Sequence, residues 1–134
     1  MGSMEPNAIK GVVSLRGHQS VDATVEKVKS ILQAKNVKLF AVVDHSGEAR
    51  NAGLKMPDTK LLIFGNPAGG TPAMLAAPTL ALDLPLKVLI YDDGGTTRVC
   101  YAPPAELARR YGLSDEQAAH FAGINALTDA LLAT

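Results

Sequence analysis

Residues 86–102, LKVLIYDDGGTTRVCYA, constrain the fold of this chain more than any other stretch. Two runs rich in β-branched and aromatic residues flank Gly94-Gly95. Tight hairpin turns need positive φ at their centre, which glycine supplies without steric cost. The spacing predicts an antiparallel pair over 86–93 and 96–102. KLLIF (60–64) and LKVLIY are apolar on alternate as well as successive positions. Both faces of these strands therefore need a cover.

The remaining elements supply part of that cover. IKGVVSLRG (9–17) and VKLFAVVD (37–44) read as further strands. Ser20 is a good N-cap, Asp22 suits a first helical turn, and Val21, Val25, Val28 and Leu32 form one apolar stripe. A helix is predicted there, with Asn36 just past its end. Lys27, Lys29 and Lys35 fall off the stripe and read as a solvated face. SGEARNAGLKM (46–56) has helical character up to Gly53. Segment 67–85 holds four prolines, so only a short helix fits, opening at Thr71-Pro72 and stopped by Pro78. A helix over 103–112 ends at Gly112. A helix over 114–132 opens with a capping box, Ser114 to Gln117, and carries Phe121, Ile124, Leu127 and Leu131 on one stripe. Local hairpins and terminal helices predict an α+β fold with a mostly antiparallel sheet and helices on one face. The reading assigns 1–8 to a tag remnant and tail and 9–134 to one domain.

Bulk properties exclude several functions. With 134 residues, 47% apolar and 19% charged, the chain suits one packed domain rather than a disordered one. Thirteen basic and thirteen acidic residues cancel, which argues against a nucleic-acid binder and leaves little charge to keep copies apart. Three Tyr, three Phe and no Trp make no stacking ladder for single strands. The single cysteine, Cys100, excludes an intramolecular disulfide. MGSMEPN lacks the basic and apolar regions of a signal peptide, and apolar runs fall short of the ~18 residues of a membrane span. The expectation is a cytoplasmic protein without membrane or nucleic-acid partners.

Candidate chemistry concentrates in two places. In LLIFGNPAGGTP (61–72), Gly65 and Gly70 have the spacing of a phosphate-binding P-loop. Thr71 and Pro72 stand where that loop needs Lys and a hydroxyl, so nucleotide hydrolysis fails. Two readings remain. Either Thr71 opens a helix whose free N–H groups hold an anion or carboxylate, or Asn66, Pro67, Gly69 and Gly70 only shape a turn. In DHSGEARNAGL, Asp44, His45 and Ser46 are adjacent, and neighbours on an extended backbone cannot form a hydrolytic relay. The Asp44–His45 pair is a candidate acid/base or metal site; alternatively Asp44 caps the following segment. His18, His45 and His120 lie far apart with no metal-binding spacing. A haem would need His45 with Met74 or Met56. No cofactor is expected. Cys100, between Val99 and Tyr101, reads as a buried thiol.

AVVDHSGEARNAGLKM, LLIFGNPAGGTPAMLAAPTLALDLPLKVLIY and YAPPAELARRYGL together resemble the bacterial domain of unknown function 302 family, from about Val12 to Leu113. The family pattern lands on Asp44, His45, Phe64, Gly65, Asn66, Pro67, Gly70, Thr71, Pro72, Asp83, Leu84 and Pro85. MPDT departs from it: the family more often has a basic residue before the proline and Thr directly after. The resemblance implies a TATA-binding-protein-like α+β fold, β-α-β-β-β-β-α, and a homodimer. It implies no activity.

The leading expectation is a homodimeric protein that binds or senses a small anion or metabolite through Asp44, His45, Gly65, Asn66, Gly70 and Thr71. The alternatives are an enzyme using Asp44–His45 and a haem or metal carrier through His45. Strand direction decides whether His45 and Asn66 can share a site. Antiparallel strands 37–44 and 60–64 separate them; a crossover unites them. The helices cover one sheet face, so segment 67–85 or a second copy must cover the other. A dimer burying on the order of 1,500 Å² is expected, with 68–86 contributing.

Overall fold

The computed structural model describes residues 8–132; the expected remnant at the N-terminus lies outside them apart from Ala8. Five strands form one sheet: β1 (Val13–Arg16), β2 (Lys38–Asp44), β3 (Thr59–Gly65), β4 (Leu86–Asp93) and β5 (Thr96–Tyr101). Their order is β1-β5-β4-β3-β2, and every neighbouring pair is antiparallel. The hairpin forms as its glycines require, with φ of 60° at Gly94 and 98° at Gly95. The Gly95 N–H donates to Asp92 Oδ1 at 2.8 Å and closes the turn.

Helix α1 (Val21–Ala34) begins where Ser20 Oγ accepts the Ala23 N–H at 3.1 Å. It ends in a left-handed residue, Asn36, with φ of 56°. The Asn36 N–H bonds the Gln33 carbonyl at 3.1 Å and the Val37 N–H bonds the Leu32 carbonyl at 2.9 Å. That pair of bonds satisfies the last carbonyls and turns the chain straight into β2. Val21, Val25, Val28 and Leu32 are buried against Leu62, Phe64, Val88, Ile90 and Val99 of the sheet. Each such side chain contributes about 1.5–3 kcal/mol relative to exposure.

Three expectations change. The strand expected over 9–17 is confined to Val13–Arg16, because the chain first turns at Gly11, whose φ is +82°. The helix expected over 114–132 is two helices, α5 (Asp115–Ala119) and α6 (Gly123–Leu132). Ile124, Leu127 and Leu131 of α6 pack with α1, whereas Phe121 joins a separate cluster with Ala73, Leu80 and Leu107. One straight helix cannot aim one stripe at two cores, and Gly123 weakens continuation by about 1 kcal/mol. The short helix of segment 67–85 begins earlier, as α3 (Pro67–Ala76), followed by a 3-10 helix, Pro78–Leu82.

Segment 67–85 packs against α4 (Pro104–Tyr111) and Phe121. It does not cover the second face of the sheet. The register aligns Ser14, Cys100, Leu89, Leu61 and Val43 in one row across all five strands. Val43, Leu61 and Leu89 belong to neither packed cluster and remain half-buried.

Candidate ligand cavity

The Gly-rich stretch is neither a phosphate cradle nor a loose turn. Pro67 restricts Asn66 to extended backbone, φ −116° and ψ 110°, which is the geometry of an N-cap. Asn66 Oδ1 accepts the Ala68 N–H at 3.0 Å. Pro67 has no N–H, and the N–H groups of Gly69 and Gly70 both donate to the Asn66 carbonyl at 3.0 Å. The start of α3 therefore has no free donors for an anion. Thr71 lies within α3 rather than capping it, because Asn66 and Pro67 already provide a cap and a first helical residue.

Gly69 and Gly70 are helical and neither has positive φ. A Cβ on Gly69 would stand 3.5 Å from the His120 carbonyl oxygen. One on Gly70 would stand 3.7 Å from Leu84 Cδ1 and 3.9 Å from Met74 Cε. These are ordinary contact distances, so a Cβ fits at either position, and the room beside Gly70 continues inward.

That room is a cavity of about 570 Å³. It lies where the two apolar clusters fail to merge. Leu32, Phe64, Ile124 and Leu127 of the sheet–helix core line it, together with Phe121 and Leu84 of the second cluster. Gly65, Asn66, Gly70 and Thr71 line it as well, so four of the expected site residues meet here. Lys35, Val37, Phe40 and His120 also line it. Lys35 is exposed, as its place off the apolar stripe predicts, and it also stands at the edge of the cavity. Lys35 has no ion-pair partner among the described residues. Phe40 is 44% exposed, and Lys38 Nζ sits 4.8 Å from its ring centre. A second hollow of about 530 Å³ lies between the β1–α1 connection and the hairpin tip. It is rimmed by polar residues, and its Ser20 hydroxyl is already engaged in capping α1.

Asp44 and His45 are not part of this cavity. Strands β2 and β3 are antiparallel, pairing Asp44 with Lys60 and Lys38 with Gly65. A seven-residue strand spans about 20 Å, so Asp44–His45 and Asn66 stand at opposite ends of the sheet. The same separation keeps His45 from Met74, which lines the cavity. Asp44 caps α2 (His45–Asn51): its Oδ1 accepts the Gly47 N–H at 3.0 Å and the Ser46 hydroxyl at 2.7 Å. The Ser46 hydrogen bond, then the Gly47 one, hold the Asp44 carboxyl below its ordinary range. Ser46 Oγ also accepts the Thr59 N–H at 3.1 Å, which fastens α2 to β3. Lys60 Nζ bonds Asp22 at 2.8 Å rather than Asp44. Among the described residues no three His, Cys, Asp or Glu side chains gather to hold a metal.

Asp83 anchors the cavity wall. Its Oδ2 accepts Tyr111 Oη and Arg110 Nη1, each at 2.6 Å. These bonds keep its carboxyl below the usual range and tie the Asp83-Leu84-Pro85 stretch to α4. Buried Glu106 binds Arg109 twice, at 2.9 and 2.6 Å, and Arg110 at 3.1 Å. Arg109 foremost lowers the Glu106 pKa to about 2.

The model of the family described as "Domain of unknown function DUF302" matches residues 13–131. The chain belongs to the DUF302 family. An uncharacterized conserved DUF302 protein from Bacillus stearothermophilus has a similar crystal structure, with a TM-score of 0.77. The likeness covers 93% of this chain and 98% of that one at 17% identity, and so concerns the fold. Over 104 residues the DUF302 chain is 40% identical to "Fluoride-specific ion channel FluC 1" of Brucella suis, covering 77% of itself and 41% of that protein. The protein of the same name from Brucella abortus matches at 40% identity with 38% of its length covered. The chain thus spans about two-fifths of the curated relatives it matches.

Proposed function

We propose that this DUF302 domain is a homodimeric binding protein for a small organic ligand, held in the cavity between α1, β3, α3 and the α5–α6 turn. One observation carries the reading: a 570 Å³ cavity between the two apolar clusters is lined by Gly65, Asn66, Gly70 and Thr71 together with buried apolar side chains of α1, β3 and α6. That size is typical of small-molecule sites. A thermal-shift screen of metabolites, followed by crystallography of any stabilising compound, tests it. Stabilisation grows with ligand concentration as mass action requires. No shift with any compound, or density elsewhere on the surface, refutes it.

Ion conduction, named for the Brucella proteins, is not assigned to this chain. It matches about two-fifths of them, and no described helix is long and apolar enough to cross a membrane. Acid/base catalysis is disfavoured because Asp44 is committed to the cap of α2 and held as the carboxylate.

The dimer rests on a separate observation, the half-buried row Val43–Leu61–Leu89, which joins neither packed cluster. A second copy meeting this face covers it with a like surface, as two-fold symmetry demands. Light scattering at micromolar concentration reads twice the chain mass if so, and a clean monomer removes the dimer.

A further inference from the structure

We infer that the cavity takes an amphipathic carboxylate whose apolar chain lies inside and whose headgroup stays at the rim. This rests on the ligand-binding reading above and names its ligand class. The cavity runs from a buried apolar floor to an exposed edge of mixed character, where polar side chains stand among Phe40, Pro67 and Ala81. Leu32, Phe64, Ile124 and Leu127 are each at most 3% exposed, and none offers a hydrogen bond from its side chain. Lys35, Asn66, Thr71 and His120 line the same cavity and are all exposed.

A compact anion gains nothing from that floor, and a pure hydrocarbon leaves the polar groups of the edge unused. An acyl carboxylate uses both. Its charge meets Lys35, a cation with no acidic partner among the described residues. The Asn66 side chain spends its oxygen on the Ala68 N–H, which leaves its NH₂ group as a donor beside the headgroup. The α3 backbone cannot serve, because its first N–H groups are already bonded. Recognition therefore falls to side chains at the edge and to hydrophobic burial at the floor.

Titration calorimetry of the full chain with hexanoate, octanoate and decanoate tests this. Each two added methylenes should tighten binding about tenfold, and decanol should bind about tenfold more weakly than decanoate. Lys35→Gln should erase the decanoate–decanol difference while leaving the chain-length dependence. Gly70→Met should fill the space and abolish decanoate binding. Decanoate-induced amide NMR shifts in the unaltered protein should centre on Gly70, Ile124 and Leu127. Affinity flat with chain length, or decanol equal to decanoate, overturns the inference. Binding of acetate or inorganic phosphate in the cavity without decanoate overturns it too but leaves the broader ligand-binding reading standing. A cavity that takes none of these probes, nor any compound of the metabolite screen, ends both.

Discussion

Asn66 Oδ1 accepts the Ala68 N–H at 3.0 Å, and this bond makes the Gly-Asn-Pro stretch the start of a helix. The Asn66 carbonyl takes the next two N–H groups, of Gly69 and Gly70. One residue thus closes the end of α3 that would otherwise attract an anion. Replacing Asn66 with Ala should cost about 1 kcal/mol, the ordinary loss of an N-cap. Asn66→Asp should retain that stability, since a carboxylate also caps and suits the helix dipole. Chemical denaturation of the three proteins measures it. Equal stability of all three would show that the cap contributes nothing.

Glycine substitutions should separate space from backbone strain. At Gly70 the helix has ordinary φ and a Cβ meets only van der Waals contacts, the nearest at 3.7 Å. Gly70→Ala should therefore stabilise the fold, by up to about 1 kcal/mol. At Gly11, φ is +82° and a Cβ would fall 2.6 Å from Glu106 Cδ. Gly11→Ala should lose about 1–2 kcal/mol from the backbone alone. Urea melts that moved both variants in the same direction would contradict this account.

Acid should weaken the protein through its engaged carboxylates. The Glu106 pKa falls on folding from 4.5 to about 2, so below its unfolded value the native state binds fewer protons than the unfolded chain. Its contribution is fully present above pH 4.5 and drains as pH falls toward about 2. Asp44 and Asp83 shift in the same direction and add to the same trend. In Glu106→Gln the fall in melting temperature over that window should be shallower. An identical acid profile in the two proteins would remove Glu106 as a source.

The half-buried apolar row on the second sheet face predicts where a dimer would be broken. Leu89 sits centrally in the row, paired with Leu61 on one side and Cys100 on the other. Leu89→Lys places a charge where a second copy would pack and should halve the mass seen by light scattering. Far-UV circular dichroism should not change, because Leu89 belongs to neither internal cluster. A dimer that survived the substitution would place the interface elsewhere.

Local chemistry was legible from residue order alone. Ser20, Asn36, Gly94-Gly95, Gly112 and the Ser114–Gln117 capping box each mark a terminus or turn whose backbone demands that residue type, and each forms as expected. Asp44 likewise caps the segment that follows it. The hairpin and the terminal helices were enough to indicate an α+β fold with a mostly antiparallel sheet. Segment 67–85 was harder, because two prolines can each start a helix and only the bonds made by Asn66 choose between them.

What residue order could not supply was assembly. Whether Asp44–His45 and Asn66 meet depends on the direction of β2 against β3, a pairing that local propensity does not encode. The cavity draws Lys35 from the end of α1, Gly70 from α3 and His120 from the α5–α6 turn. Gly70 stands in a recognisable Gly-rich motif, whereas Lys35 and His120 carry no sequence signature, since each is ordinary where it stands. They come together because two apolar clusters form on opposite sides of Leu86 and do not close over the space between them. Packing of distant side chains, decided only once the whole chain has folded, created the cavity by joining the Gly-Asn-Pro motif to residues that are individually unremarkable.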